Sequence, residues 1–259
     1  MIYALCAVVG MEAKENFDNP DTIVVARDGT GRFRNVAEAI EVCRAFMDYH
    51  KVIYVKKGIY KEKLTVPQWL TNIEICGEDR DNTIITWDDH ANVYLPEIGK
   101  GMGTFRTYTL RIGGSHITLK NITIENNSAR LGQAVALHTE GDCLLFVNCR
   151  FLGHQDTIYT GNASTRLYFS GCYIEGTTDF IFGPSTAWFE NCDIYCKANS
   201  YITAASTPHL QQLSHHYSTR RNKSISRTSL ERLWLYTLHE LPVASTDTSR
   251  GLASLARRG

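Results

Sequence analysis

The 259-residue sequence is poor in proline, with six, and carries no net charge, with 27 basic residues against 27 acidic ones. The even balance provides no overall electrostatic footprint for a nucleic acid or an anionic membrane. No apolar run approaches the ~20 residues that a membrane-crossing helix needs. None of the eight cysteines is spaced C-x-x-C, which removes the usual signature of a zinc site and leaves the redox compartment open. Asn-Gly and Asp-Gly dipeptides seldom separate the strand-like segments, which argues against sandwiches or barrels built from tight hairpins. Helical periodicity is confined to Val36–Phe46, which predicts one short amphipathic helix at the N-terminal end of the fold. With 43% hydrophobic residues, the chain can bury the core of one globular domain.

What is abundant is a repeat. Phe146-Val-Asn-Cys149-Arg-Phe151, Phe169-Ser-Gly-Cys172-Tyr-Ile174 and Phe189-Glu-Asn-Cys192-Asp-Ile194 share one pattern, with Leu119-Lys-Asn-Ile122-Thr-Ile124 as an earlier copy. Each unit alternates apolar and polar residues around Asn or Gly, as a short strand and a turn do. One such unit every 20 to 27 residues is the mark of a solenoid, because a single unit cannot bury its own apolar side. The predicted fold is all-β, a right-handed parallel β-helix, with Cys149, Cys172 and Cys192 stacked inward in a column. Cys76 ends a similar apolar run, Lys51–Lys56 is the first clear strand, and Gly58–Glu62 reads as a turn.

Within the repeat lie two carboxylates in apolar surroundings, Asp156 in Gln155-Asp156-Thr157 and Asp179 in Thr178-Asp179-Phe180-Ile181-Phe182-Gly183, 23 residues apart. A strand interior disfavours Asp, and a buried carboxylate needs compensation. Either each caps a turn, or the two form an acid/base pair.

Several segments occur in one order: DGTGRF at 28–33, GIYKE at 58–62, GEDRDNTII at 77–85, GTFRT at 103–107, GQAVAL at 132–137, HQDTIYTG at 154–161 and DFIFG at 179–183. Together they resemble the pectin methylesterase (pectinesterase) family over roughly residues 21–208. The resemblance implies a secreted or periplasmic, monomeric hydrolase that removes methyl esters from galacturonate in pectin. It implies that Asp179 is the nucleophile and Asp156 the acid, then the base. Gln133 and Gln155 match glutamines near the developing oxyanion, and Thr104, Tyr159 and Phe182 match the substrate groove. It implies neither a metal nor an organic cofactor, and neither a nucleic-acid nor a membrane partner. A non-catalytic polyuronide-binding β-helix uses the same groove without turnover. A pectate lyase or polygalacturonase calls for acidic calcium sites or three aspartates, which are not evident.

The pattern stops after Pro208. Residues 209–259 carry eight Lys or Arg against three acids, while residues 1–208 carry 19 against 24, and the LGRPW segment of the family is missing. Translation of this stretch one base downstream permits TKVYLGRPWRDYGYTRCMNCQ and then a GWHHW string, which predicts that the tail is out of frame. The expected organisation is thus 1–20 as an N-terminal segment that reads either as a degenerate export signal or as a plain disordered or buried terminus, 21–208 as an incomplete β-helix domain, and 209–259 as an anomalous basic tail. Loss of the family's arginine beside Asp179 predicts weak activity or none.

Overall fold

The computed structural model describes residues 16–208, together with the backbone of Tyr217–Ser218. The export-signal expectation for the first residues and the out-of-frame expectation for 209–259 lie outside the described residues, apart from residues 16–20, which precede the first strand, and the strand Tyr217–Ser218. The chain winds as a parallel β-solenoid. Its first sheet runs Ile23–Val25, Lys51–Val55, Ile73–Gly77, Thr118–Lys120, Leu144–Val147, Arg166–Ser170, Thr186–Glu190 and Tyr217–Ser218. The second is formed by Gly58–Lys61, Thr83–Trp87, Thr123–Asn126, Arg150–Leu152, Tyr173–Gly176 and Asp193–Cys196. The third comprises Leu64–Val66, Leu110–Ile112, Leu137–Thr139, Ile158–Thr160, Ile181–Gly183 and Thr203–Ala205. Neighbours within all three sheets are parallel.

The interior follows from the repeat. Cys149, Cys172 and Cys192 are buried, and the last two thiols each reach a carbonyl one coil back, at Phe146 and Phe169. Phe146, Phe169 and Phe189 stack nearly parallel, with ring centres 4.5 and 4.6 Å apart. Small thiols beside large rings fill each layer, as close packing demands. Before each inward Cys or Ile comes a left-handed corner, Asn121, Asn148, Gly171 or Asn191, with φ between 50° and 63°. Asn and Gly tolerate that conformation, and the Asn148 amide donates to the Asn121 side chain on the adjacent coil. The seven cysteines among the described residues are free thiols.

Three expectations need correction. The helix spans only Val36–Glu41; it buries Val36, Ala39 and Ile40, and Glu62 rather than Asn35 accepts from its first amides. Beyond it Phe46 is exposed with a positive φ, because its amide is drawn to Trp69 O. The first strand is Ile23–Val25, too short to stand out in sequence but paired with Lys51–Val55. Gly58–Lys61 is a strand, since Tyr60 points inward and pairs with Ile85. Cys76 does not join the inner column: it pairs with Lys120 on an outward rung.

Candidate active site

The third sheet carries the two carboxylates at its entry. Asp156 N donates to Thr178 O at 3.2 Å, and Ile158 N donates to Phe180 O, so Asp156 and Asp179 occupy facing positions on adjacent coils. Adjacent strands lie about 4.8 Å apart. Ala134 N donates to Gln155 O at 3.1 Å, which sets Gln133 beside Gln155 in the neighbouring column. The backbone register therefore places Asp156 opposite Asp179, and Gln133 beside Gln155, on adjacent coils.

Local chemistry explains each position. Asp156 and Asp179 both have left-handed backbones, φ 66° and 49°, a conformation that Asp tolerates but that costs about 1 kcal/mol or more. In DFIFG, Phe180 is buried against Gly176, Ile181 packs inward and Phe182 faces out. Gly183 has φ 121°, and a Cβ there would sit 2.2 Å from Thr160 O, so no other residue fits without movement. The buried Asn126 amide donates to Asp89 O, Thr107 O and Val135 O, tying three loops around the site. The Thr107 hydroxyl accepts from Val135 N and donates to Thr104 O, which fixes the short 3₁₀ turn Thr104–Arg106 beside the Gln133 segment.

The carboxylates are electrostatically unequal. Asp156 is 8% exposed, and burial, followed by the charge of Asp179, pushes its pKa up to about 7. Burial also raises Asp179, less strongly. Among the described residues, no hydrogen bond or cation favours the charged form of either carboxyl, so neither behaves as a turn cap. One proton shared by the pair resides mainly on Asp156, leaving Asp179 the charged member.

Three residues beyond each Asp, Tyr159 and Phe182 pair in register with ring centres 4.9 Å apart. Phe105, from the Thr104 turn, lies 4.9 Å from Tyr159, and His138 lies 4.8 Å from Tyr159 and 6.2 Å from Phe105. Phe105 and His138 were not anticipated from the sequence, although aligning Ala-Leu-His138-Thr with Thr-Ile-Tyr159-Thr places His138 next to Tyr159. His138 is 4% exposed; burial lowers its pKa against the opposing pull of Glu140, whose carboxylate contacts Nε2 at 3.0 Å. Among the described residues, no group of three or more His, Cys, Asp or Glu is placed to hold a metal ion.

A charged and a protonated carboxyl on facing rungs, amide side chains beside them and an aromatic row alongside are equipped for acyl transfer to and from an ester. The pectinesterase family model matches residues 22–214. Pectinesterase 31 of Arabidopsis thaliana is 37% identical over 192 residues, covering 73% of this chain and 60% of that protein. The chain thus spans less than two thirds of the length of that relative. The pectin methylesterase from carrot superposes with a TM-score of 0.68 at 32% identity, over 77% of this chain and 61% of that one. Pectin methylesterase PemA from Erwinia chrysanthemi gives a TM-score of 0.67 at 28% identity, over 80% and 68% respectively. A family match across three quarters of the sequence, on a solenoid of the same kind, makes this chain a member of the pectinesterase family.

Proposed function

We propose that the protein hydrolyses methyl esters of galacturonate units in pectin. The observation that carries this reading is the facing pair, in which burial and Asp179 hold the Asp156 pKa at about 7 while Asp179 keeps its charge. Asp179 attacks the ester carbonyl carbon, and the tetrahedral oxyanion faces the Gln133 and Gln155 amides. As the C–O bond to methoxide breaks, Asp156 gives up its proton and methanol leaves. A water then gives one proton to Asp156 and its hydroxide to the acyl carbon, the bond to Asp179 breaks to regenerate its carboxylate, and the released galacturonic acid loses its remaining proton to solvent. Thr104, Tyr159 and Phe182 support the sugar chain, since aromatic faces suit the apolar faces of sugar rings. With an extracellular polymer as substrate, the reading extends to a secreted or periplasmic monomer.

Methanol release from methylated pectin tests the proposal. The protein should release methanol, slowly while the LGRPW arginine is missing, and Asp179→Asn should release none; equal, measurable release by both overturns the nucleophile assignment. A second reading, polyuronide binding without turnover, is favoured by the lack of any described cation lowering the Asp179 pKa. It requires retention on pectin with no methanol from either protein.

A further inference from the structure

Thr65, Arg111, His138, Tyr159 and Phe182 form one outward row across the third sheet, fixed by strand register. Its chemistry changes abruptly along the coils. Beside the carboxylate pair the row is aromatic, with Phe105 lying over it, 55% exposed. Two rungs from Tyr159, about 10 Å at ordinary strand spacing, it becomes ionic. There Arg111 Nη2 donates to Glu140 Oε2 at 2.6 Å, and Glu140 Oε1 meets His138 Nε2 at 3.0 Å. The Arg111 and Glu140 side chains are 38% and 40% exposed, so both present polar atoms to the groove. A guanidinium has five N–H donors, and among the described residues this one spends a single nitrogen on Glu140. Lys63 lies at the same end, where it pairs with Asp89 and donates to the Arg106 carbonyl. Arg111 and Lys63 thus make this the cationic end of the row, each held by one carboxylate.

We propose that Arg111 is a specificity-determining subsite for a free uronate carboxylate, about two rungs from the reacting ester. The inference rests on the pectin-esterase reading of the same groove. A methyl-esterified unit is uncharged and suits the aromatic stretch, whereas a de-esterified unit suits an arginine with unused, planar donors. A sugar chain laid along the row meets both environments at once. The protein then prefers substrates already carrying free carboxylates near the ester to be cut, and each product improves the next substrate. Glu140 orients the guanidinium and also competes with the ligand for it, which tunes the affinity.

The test compares kcat/KM on partially and fully methyl-esterified oligogalacturonates of one length. The parent protein should favour the partially esterified substrate. Arg111→Gln should reduce that ratio about tenfold, as expected for loss of one charge-assisted contact, and Arg111→Lys should restore part of it. Glu140→Gln should increase the ratio and reduce its sensitivity to salt less than Arg111→Gln does. Equal losses on both substrates, or an unchanged ratio in Arg111→Gln, overturn the proposal. Calorimetric binding of fully de-esterified oligogalacturonate needs no turnover. If the parent binds it and Arg111→Gln binds it about tenfold more weakly, the subsite stands even where methanol release fails; equal binding by the two removes the subsite alone.

Discussion

Replacing Asp156 with Asn should stabilise the fold at alkaline pH and leave it unchanged in acid. The carboxyl is 8% exposed, and its pKa is raised from 3.8 to about 7 by burial first and the Asp179 charge second. The folded state therefore holds the proton more tightly than the unfolded chain. That contribution is fully present below about pH 4, falls as pH rises through the interval up to about 7, and is gone above it. Three pKa units correspond to about 4 kcal/mol, or roughly 8–16 °C in thermal midpoint for a chain of this size. Asn keeps the shape but has no proton to lose, so variant and parent should melt together at pH 4 and diverge by pH 8. Circular dichroism melts at the two pH values measure the divergence, and ionisations common to both proteins cancel. The same substitution removes the proposed proton donor for methanol departure, and methanol release should drop about 10²-fold or more. If the difference in midpoint is the same at pH 4 and pH 8, Asp156 is ionised throughout and the pair does not share a proton.

Asp179→Asn removes the second cause of the Asp156 shift, so the pH at which stability is lost should move toward acid; an unmoved midpoint means that the two carboxyls do not interact. Phe169→Ala opens the centre of the stacked phenyl column and should cost about 3–5 kcal/mol by urea denaturation, whereas a loss under 1 kcal/mol means the column collapses onto the gap. A frame-corrected chain, in which the LGRPW arginine is restored, should release methanol faster than the chain as written, because a cation beside Asp179 favours its charged form. Comparable turnover by both removes the need for that arginine.

The solenoid was readable in sequence because its inner column repeats: Phe, Asn or Gly, and Cys or Ile recur at each coil, and the buried positions match them. The coil containing Gly58–Lys61 was harder, since Gly and Lys at its ends resemble a turn and only Tyr60 points inward. The three-residue strand Ile23–Val25 offers no full period of alternation, and its identity comes from pairing with Lys51–Val55. At the site, the resemblance singled out Asp156 and Asp179, but their unequal protonation depends on burial that sequence does not display. Arg111 and His138 lie outside the repeat signature that marks the inner column. Their relation to Tyr159 appears only once register aligns strands 21 to 27 residues apart.

That register also makes the reactive centre a short-range object. Asp156 and Asp179 are separated by 23 residues, one circuit of the solenoid, and a backbone bond between neighbouring coils sets their approach. In a stacked architecture, each circuit gains its stability mainly from the next, and order propagates like a zipper. The two carboxyls therefore come face to face as soon as two adjoining circuits dock, before distant parts of the chain have found their places. The geometry of the pair depends on two docked circuits alone, and a lesion several coils away acts on how long the docked state persists rather than on how the pair is drawn.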